Sequence, residues 1–144
     1  MATPDSVERQ GSSPVECISA AVRILVVDDD DGMREYLCEA LARQGFEAIP
    51  ASSGEEAVRI YRCERVSMVL LDIFMPEKDG FETLMDIRRA CPDAKIIAMS
   101  GHSEYRGINV ASWAKKLGAQ ASVHKPFTVN ELAAAVQTAL EAPI

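Results

Sequence analysis

Three largely apolar runs, each followed by a polar residue that carries chemistry, constrain what this chain can fold into. They cover residues 24–27, 66–71 and 95–99, and they are followed by aspartate, aspartate and serine. A continuous apolar run of this length predicts a strand buried on both faces, as in a parallel sheet, because half-exposed strands alternate apolar and polar residues. Two shorter runs, residues 46–50 and 121–124, complete a set of five predicted strands.

The segments between these strands have the spacing of amphipathic helices. After the first strand, apolar residues recur at positions 33, 36, 37, 40 and 41, and Gly45 follows where a helix would end. Further helices are predicted from a capping box (Ser52 with Glu55, or Ser53 with Glu56) to residue 62, over residues 79–90 and 110–117, and from the capping box Thr128 and Glu131 to residue 140. Alternating strands and helices predict an α/β fold, a parallel sheet with helices on both sides.

The length and composition fit one such domain. The chain has 144 residues, and its first 22 show no steady period, so we expect a flexible tail over residues 1–22 and one domain over residues 23–144. A formal charge of −7 argues against nonspecific binding to nucleic acid or to an anionic membrane. The four cysteines form no Cys-x-x-Cys pair, and neither a signal sequence nor a membrane-length apolar run is present, which favours a reducing, cytoplasmic setting.

Polar residues at the ends of the predicted strands form a specific chemical set. They are Asp28 and Asp29 after strand one, Asp72 after strand three, Ser100-Gly101 after strand four and Lys125-Pro126 after strand five. Because the carboxyl ends of parallel strands share one edge of the sheet, we expect three carboxylates, a hydroxyl and an ammonium to meet there. One lysine cannot neutralise three carboxylates, so this all-oxygen set predicts a bound Mg²⁺ or Mn²⁺. One carboxylate is then free to act as a nucleophile and form an acyl phosphate.

These segments resemble the receiver domain of two-component response regulators. The matching stretches are residues 24–30 (ILVVDDD), 70–76 (LLDIFMP) with Asp79-Gly80, 97–101 (IAMSG) and 125–127 (KPF), and the resemblance covers about residues 23–141. It implies a flavodoxin-like three-layer sandwich, in which five helices cover a five-stranded parallel sheet of order 2-1-3-4-5. It also implies a phosphorelay signalling module rather than an enzyme.

The resemblance further implies roles for individual residues. Asp72 matches the phosphoacceptor, which takes a phosphoryl group from a sensor histidine kinase or a histidine phosphotransferase. The implied metal ligands are Asp72 itself, Asp29, Asp28 as a partner often acting through water, and the backbone carbonyl of Phe74. The implied phosphoryl-binding and switch groups are the Lys125 ammonium and the Ser100 hydroxyl with Gly101, and the Lys125-Pro126 peptide matches one that is often cis.

Three features depart from the family pattern. Receivers commonly carry Tyr or Phe three residues before the lysine, where this chain has Ser122, so the resemblance supplies no aromatic switch here. The stretch between the switch serine and the lysine is about three residues longer than expected, and we place the extra residues at 105–109. Phe74 and His102 occupy the two positions that influence attack by water on the acyl phosphate. Because Phe74 cannot hydrogen-bond to water, we predict slow self-dephosphorylation.

Two other functional classes share features with this chain. An aspartate-nucleophile phosphatase usually places a second aspartate two residues after the nucleophile, where this chain has Phe74. A flavodoxin-like electron carrier would bind a phosphate after strand one, where four aspartates would repel it. The phosphatase is kept as an alternative, and the electron carrier is rejected.

The output of such a module is the least constrained part of the prediction. We expect a stand-alone regulator, because an initiator Met and a tail precede the domain and about three residues follow the last helix. The alternative is a receiver excised from a hybrid kinase or a multidomain regulator. The expected downstream partner is an unidentified protein, and both a monomer and a phosphorylation-dependent dimer stay open. We expect Trp113 in the core, with an exposed docking role as the alternative, and His124 as a partly exposed residue at a strand end.

Overall fold

The computed structural model describes residues 22–75, 80–105 and 107–142. The elements in chain order are β1 (Arg23–Val27), α1 (Asp31–Arg43), β2 (Glu47–Ala51), α2 (Gly54–Cys63), β3 (Met68–Asp72), α3 (Gly80–Ala90), β4 (Ile96–Ser100), β5 (Glu104–Tyr105), β6 (Ile108–Asn109), α4 (Val110–Lys116), β7 (Ala121–His124) and α5 (Val129–Glu141). The predicted tail, apart from its last residue, lies outside the described residues, and so does Asp79, the predicted first residue of the third helix.

The main sheet has five parallel strands in the order β2-β1-β3-β4-β7. Counting β7 as the fifth strand of this sheet, the order is the expected 2-1-3-4-5, and the flavodoxin-like fold is confirmed. Val27 pairs with Leu71 in β3, and Asp72 pairs with Met99 in β4, so these strands end level at one edge. Among the helices that the structure describes, none is long and apolar enough to cross a membrane.

Alternate residues of each central strand enter two separate cores, one on each face of the sheet. In β1, Leu25 and Val27 face the layer formed by α2, α3 and α4, whereas Ile24 and Val26 face α1 and α5. All four side chains are fully buried. A continuous apolar strand is therefore required here, because either face left polar would place unpaired polar groups inside a core.

Helices α1, α2, α4 and α5 each follow a residue whose side chain accepts a hydrogen bond from a backbone N–H of the first turn. Ser53 caps α2 by accepting a hydrogen bond from the Glu56 N–H at 3.1 Å. The Glu56 side chain accepts the Ser52 N–H at 2.7 Å, so the cap lies at Ser53 but neither of the two predicted capping boxes forms in full. Thr128 and Glu131 form the predicted capping box of α5, with reciprocal bonds of 2.8 and 3.0 Å. Gly45 follows α1 with φ of 93°, a left-handed conformation that glycine adopts without steric cost.

Arg88 ties the C-terminal ends of two helices to the start of β4. Its guanidinium donates to the backbone carbonyls of Pro92 at 2.7 Å, of Ala94 at 2.6 Å, and of Gly118 just beyond α4. Gly118 has φ of 107°, and a Cβ at this position would lie 2.8 Å from the Arg88 Nε. The end of α4 is therefore fixed to α3 by a hydrogen bond to a backbone carbonyl, and glycine at position 118 leaves the space that the Arg88 guanidinium occupies.

The region expected to hold the extra residues forms a small hairpin before α4. Strands β5 and β6 pair as an antiparallel ladder of two residues each, and the Val110 N–H that opens α4 bonds to the Ser103 carbonyl at 3.0 Å. Helix α4 has seven residues, and its buried side chains are Val110 and Ala114. The prediction of Trp113 in the core is wrong: its side chain is 41% exposed at the edge of this narrow buried stripe, with the Lys116 Nζ 5.9 Å from the ring centroid.

Candidate functional site

Two buried carboxylates and one ammonium meet at the carboxyl edge of the sheet. Asp28 follows β1 and is fully buried, and Asp72 is the last residue of β3 and is 4% exposed. The Lys125 Nζ, which follows β7, lies 2.8 Å from Asp28 Oδ2 and 3.4 Å from Asp72 Oδ2. The Lys125 N–H donates to the Ser100 carbonyl at 2.7 Å, which fixes the backbone beside the end of β4. The Lys125-Pro126 peptide bond is cis, as expected.

The electrostatics of this pair of carboxylates differ from those of surface acids. Burial and the neighbouring charge of Asp28 raise the pKa of Asp72 to about 6, although the Lys125 charge and a hydrogen bond from the Phe74 N–H oppose the rise. Burial lowers the pKa of Lys125, but its hydrogen bond to Asp28 and the charge of Asp72 outweigh burial, so its pKa is raised. The single Lys125 ammonium therefore does not balance the negative charge of the carboxylates at this edge, and a further cation would stabilise their ionised forms.

The four consecutive aspartates after β1 have different local partners. Asp28 Oδ1 accepts the Asp30 N–H at 2.9 Å, and Asp30 Oδ1 caps α1 by accepting the Met33 N–H at 3.1 Å. The Asp31 carboxylate pairs with Arg34. Asp29 is exposed. Of the four side chains, only those of Asp28 and Asp29 join Asp72 in a cluster whose carboxylate oxygens lie within 4.8 Å of one another.

This cluster fits a hard divalent cation. Three carboxylate oxygens at such spacing repel one another unless a cation lies between them, and Mg²⁺ prefers oxygen ligands while retaining several waters. Two of the carboxylates are buried and the third is exposed, so the site has protein ligands on one side and access to solvent on the other. The donor set therefore matches the expected Mg²⁺ or Mn²⁺.

The predicted switch hydroxyl is bonded within its own turn. Ser100 ends β4 and is 7% exposed; its Oγ accepts the His102 N–H at 2.9 Å and donates to the His102 carbonyl. The His102 and Phe74 rings contact each other in an edge-to-face arrangement, with centroids 4.8 Å apart and planes at 69°. The two residues expected to affect attack by water thus lie against each other, next to the Phe74 N–H that binds Asp72 Oδ1 at 3.1 Å.

Ser122 lines a small pocket beside the switch serine. Ser122 pairs with Ala98 across β4 and β7, and it is exposed, as is His124 at the strand end. The pocket has a volume of about 90 Å³ and is lined by Ser100, His102, Val110, Ser122 and His124, among others. The departure at this position therefore leaves a cavity between β7 and the turn that follows Ser100.

Two residues that support the site were not assigned roles from the sequence. A Cβ on Gly80 would lie within 3.0 Å of the backbone of Asp72 and Ile73, so α3 begins in direct contact with the chain at Asp72, and the Gly80 N–H binds the Ile73 carbonyl at 2.9 Å. Arg34 donates to the Asp28 carbonyl at 2.7 Å. The role of Arg34 could have been predicted from its spacing, because an arginine three residues after an aspartate at a helix start can pair with it.

Comparison with known proteins defines the class that this fold and site represent. The family model described as the response regulator receiver domain matches residues 24–137. The chain belongs to this family, and it is therefore a phosphorelay module of two-component signalling.

Individual relatives support this membership. The chain is 38% identical over 124 residues to the regulatory protein AtoC of Escherichia coli, covering 86% of this chain and 26% of that protein. It is 33% identical over 115 residues to sporulation initiation phosphotransferase F of Bacillus subtilis, covering 80% of this chain and 90% of that protein. The response regulator TrrA of Thermotoga maritima, solved in complex with Mg²⁺-BeF, is similar with a TM-score of 0.72 and 40% identity, covering 82% of this chain and 98% of that one. The chain spans about a quarter to a half of the length of several curated relatives.

Proposed function

We propose that Asp72 accepts a phosphoryl group from a histidine of a sensor kinase or of a histidine phosphotransferase. The observation that carries this proposal is the position of the Lys125 ammonium, 2.8 Å from Asp28 and 3.4 Å from Asp72, the two buried carboxylates of this acidic edge. The proposal is supported by the neighbours of Asp72, which are this ammonium and a cluster of three carboxylates that fits a divalent cation.

The transfer needs an ionised Asp72. A carboxylate oxygen of Asp72 attacks the phosphorus of the phosphohistidine, the new P–O bond forms as the P–N bond breaks, and the imidazole nitrogen keeps the electron pair and takes up a proton. Because the pKa of Asp72 is raised only to about 6, most of the molecules are ionised at neutral pH. A more basic carboxylate is a better nucleophile than an ordinary one, provided that it remains deprotonated.

Asp28, Asp29, Asp72 and the Phe74 carbonyl would hold the metal, Mg²⁺ or Mn²⁺. When bound, it supplies positive charge that offsets the repulsion between the incoming phosphoryl oxygens and the carboxylates. Asp28 has a second task in this chain, because its Oδ2 holds the Lys125 ammonium within reach of Asp72. Lys125 then pairs with the phosphoryl oxygens.

Ser100 is the group that we assign to detect phosphorylation. Its hydroxyl now bonds to the His102 backbone, so a bond to a phosphoryl oxygen would require it to leave that turn. The Gly101-His102 turn leads to the β5–β6 hairpin and α4, whose first N–H bonds to the Ser103 carbonyl. Phosphorylation would therefore shift the population of this hairpin and α4 rather than move an aromatic ring at position 122.

The lifetime of the acyl phosphate follows from the contact between Phe74 and His102. Neither the apolar Phe74 ring nor its edge contact offers a hydrogen bond that would orient an attacking water. We propose slow self-dephosphorylation, limited mainly by Phe74, with His102 held against that ring.

The output is a change of protein partner. A stand-alone regulator and a receiver that belongs to a longer regulator or hybrid kinase would use the same chemistry at Asp72. A phosphatase acting on external substrates is less well supported, because Phe74 stands where such an enzyme usually has its general acid.

The decisive experiment is intact-mass spectrometry after incubation with acetyl phosphate. The wild-type protein should gain one phosphoryl group with Mg²⁺ and none with EDTA, and the Asp72→Asn variant should gain none. Asp86→Asn, which removes a partly buried carboxylate on α3, is the control and should be labelled like the wild type. Labelling of the Asp72→Asn variant to the same extent as the wild type would refute the assignment.

A further inference from the structure

We propose that Arg34 is a positioning residue for the metal cluster, and that it determines which of the four consecutive aspartates remain available to the cation. This inference rests on the proposed function, because it concerns the same Mg²⁺ site. It explains why only two of the four consecutive aspartates, Asp28 and Asp29, join Asp72 as candidate metal ligands.

The contacts of Arg34 span the junction between β1 and α1. Arg34 lies in the first turn of α1, and its side chain is 18% exposed. One guanidinium nitrogen donates to the Asp28 carbonyl at 2.7 Å, and the other pairs with the Asp31 carboxylate. These two contacts of the guanidinium, called the Arg34 fork below, hold the backbone at Asp28. The two side-chain oxygens of Asp28 bind the Asp30 N–H and Lys125.

These contacts keep the neighbouring acids away from the cluster. Asp30 is committed to the helix cap, and Asp31, whose side chain is 86% exposed, is held by Arg34 on the helix. Without Arg34, the Asp31 carboxylate has no other contact among those described and the Asp28 carbonyl loses its donor. Two carboxylates at the end of β1 would then be less well fixed toward Asp72.

The charge of Arg34 and its geometry act in opposite directions on metal binding. A guanidinium near a cation site weakens binding by repulsion, so removing the charge alone should tighten Mg²⁺. Loss of the fork should weaken Mg²⁺, because groups that orient metal ligands are worth about 10- to 100-fold in affinity. The Asp31 carboxylate already neutralises Arg34, which leaves the fork as the larger effect.

The test is therefore a charge-balanced double variant. Arg34→Gln with Asp31→Asn leaves the net charge unchanged, and we expect the dissociation constant for Mg²⁺, measured by isothermal titration calorimetry, to rise about tenfold. The matched control is Arg43→Gln with Glu39→Gln, which removes an exposed pair 3.7 Å apart on the same helix and should leave the constant unchanged. Saturating Mg²⁺ should restore acetyl phosphate labelling of the Arg34 double variant.

The outcomes separate this proposal from the proposed function. If the wild-type protein binds Mg²⁺ and the double variant binds it equally well or more tightly, Arg34 does not position the site. If the wild type itself binds no Mg²⁺, the proposed metal site fails, and this inference fails with it. Should the double variant not fold by circular dichroism, Arg34→Lys replaces it: this variant keeps the charge but not the fork, and an unchanged dissociation constant would overturn the proposal.

Discussion

Replacing the phosphoacceptor candidate by its neutral isostere should stabilise the metal-free protein. Asp72 is 4% exposed, and its pKa rises from 3.8 to about 6. A carboxyl whose pKa is raised on folding binds more protons in the native state than in the unfolded state between these two values. The free energy of unfolding therefore falls as the pH rises through this window, and the lost stability stays lost at neutral pH.

The size of the effect follows from the shift. About two pH units correspond to about 3 kcal/mol at 1.36 kcal/mol per unit, and screening by solvent at this open edge reduces the figure to about 1–2 kcal/mol. In EDTA at pH 7.5, Asp72→Asn should be more stable than the wild type by that amount in urea unfolding. The advantage should shrink toward pH 4, where the wild-type carboxyl is protonated.

Asp29→Asn provides the matched control for this measurement. Asp29 belongs to the same cluster but is exposed, so its charge keeps its hydration and its removal should change the stability less. Lys125 retains Asp28 at 2.8 Å in either variant, so neither leaves it unpaired. An Asp72→Asn protein that is no more stable than the wild type at pH 7.5, or an advantage that does not vary with pH, would refute the reasoning.

Four further experiments test other parts of the structure. Phe74→Asn should speed hydrolysis of the acyl phosphate about tenfold, about 1.4 kcal/mol for one hydrogen bond to the attacking water, and an unchanged decay of the phosphorylated mass would contradict this. Gly80→Ala should lower the unfolding temperature and slow phosphorylation by acetyl phosphate, because the added Cβ would overlap the backbone of Asp72 and Ile73 at the end of β3. If the variant and the wild type have the same unfolding temperature and the same rate of phosphorylation, this overlap does not constrain the site. Thr128→Ala should cost about 1 kcal/mol in urea unfolding through the lost cap, whereas Thr138→Ala on the exposed face of the same helix should not destabilise. Fluorescence of Trp113, the single tryptophan, should be strongly quenched by acrylamide, and a protected indole would be inconsistent with its exposed position.

Most of the fold could be predicted because the pattern of burial is repeated along the chain. Buried residues such as Leu25 and Ile24 alternate between two cores, so a strand can only be apolar throughout, and this is visible in any single run. The spatial order of the strands has no such local signature, because each strand is equally apolar on both faces. That order came from the resemblance to receivers, not from the periodicity.

The position of Trp113 was mispredicted for a physical reason. Spacing alone placed residues 110, 113, 114 and 117 on one inward face, but α4 has seven residues and buries a stripe one side chain wide, formed by Val110 and Ala114. The Trp113 indole lies beside this stripe and is 41% exposed. A helix of two turns therefore buries a narrower set of side chains than the wide apolar stripe expected for a longer amphipathic helix.

The members of the candidate site could be predicted as a set, but their individual contacts could not. The sequence does not show which of the four consecutive aspartates is a metal ligand, a helix cap or an ion-pair partner. The distinction arises from hydrogen bonds to the Asp30 and Met33 N–H groups and from Arg34, which depend on where β1 ends and α1 begins. A shift of that boundary by one residue would reassign every carboxylate.

The Arg88 clamp has a mechanical consequence for α4. The Arg88 guanidinium binds three backbone carbonyls, and one of them belongs to Gly118, just beyond the C-terminal end of α4. The N-terminal end of α4 is connected to the turn after Ser100 through the β5–β6 hairpin and the hydrogen bond from the Val110 N–H to the Ser103 carbonyl. A rod about 10 Å long, pinned at one end and pushed at the other, tilts rather than slides. We therefore expect a displacement of the turn after Ser100 to change the tilt of α4 about its Gly118 end, and a partner that contacts α4 would detect this change of tilt.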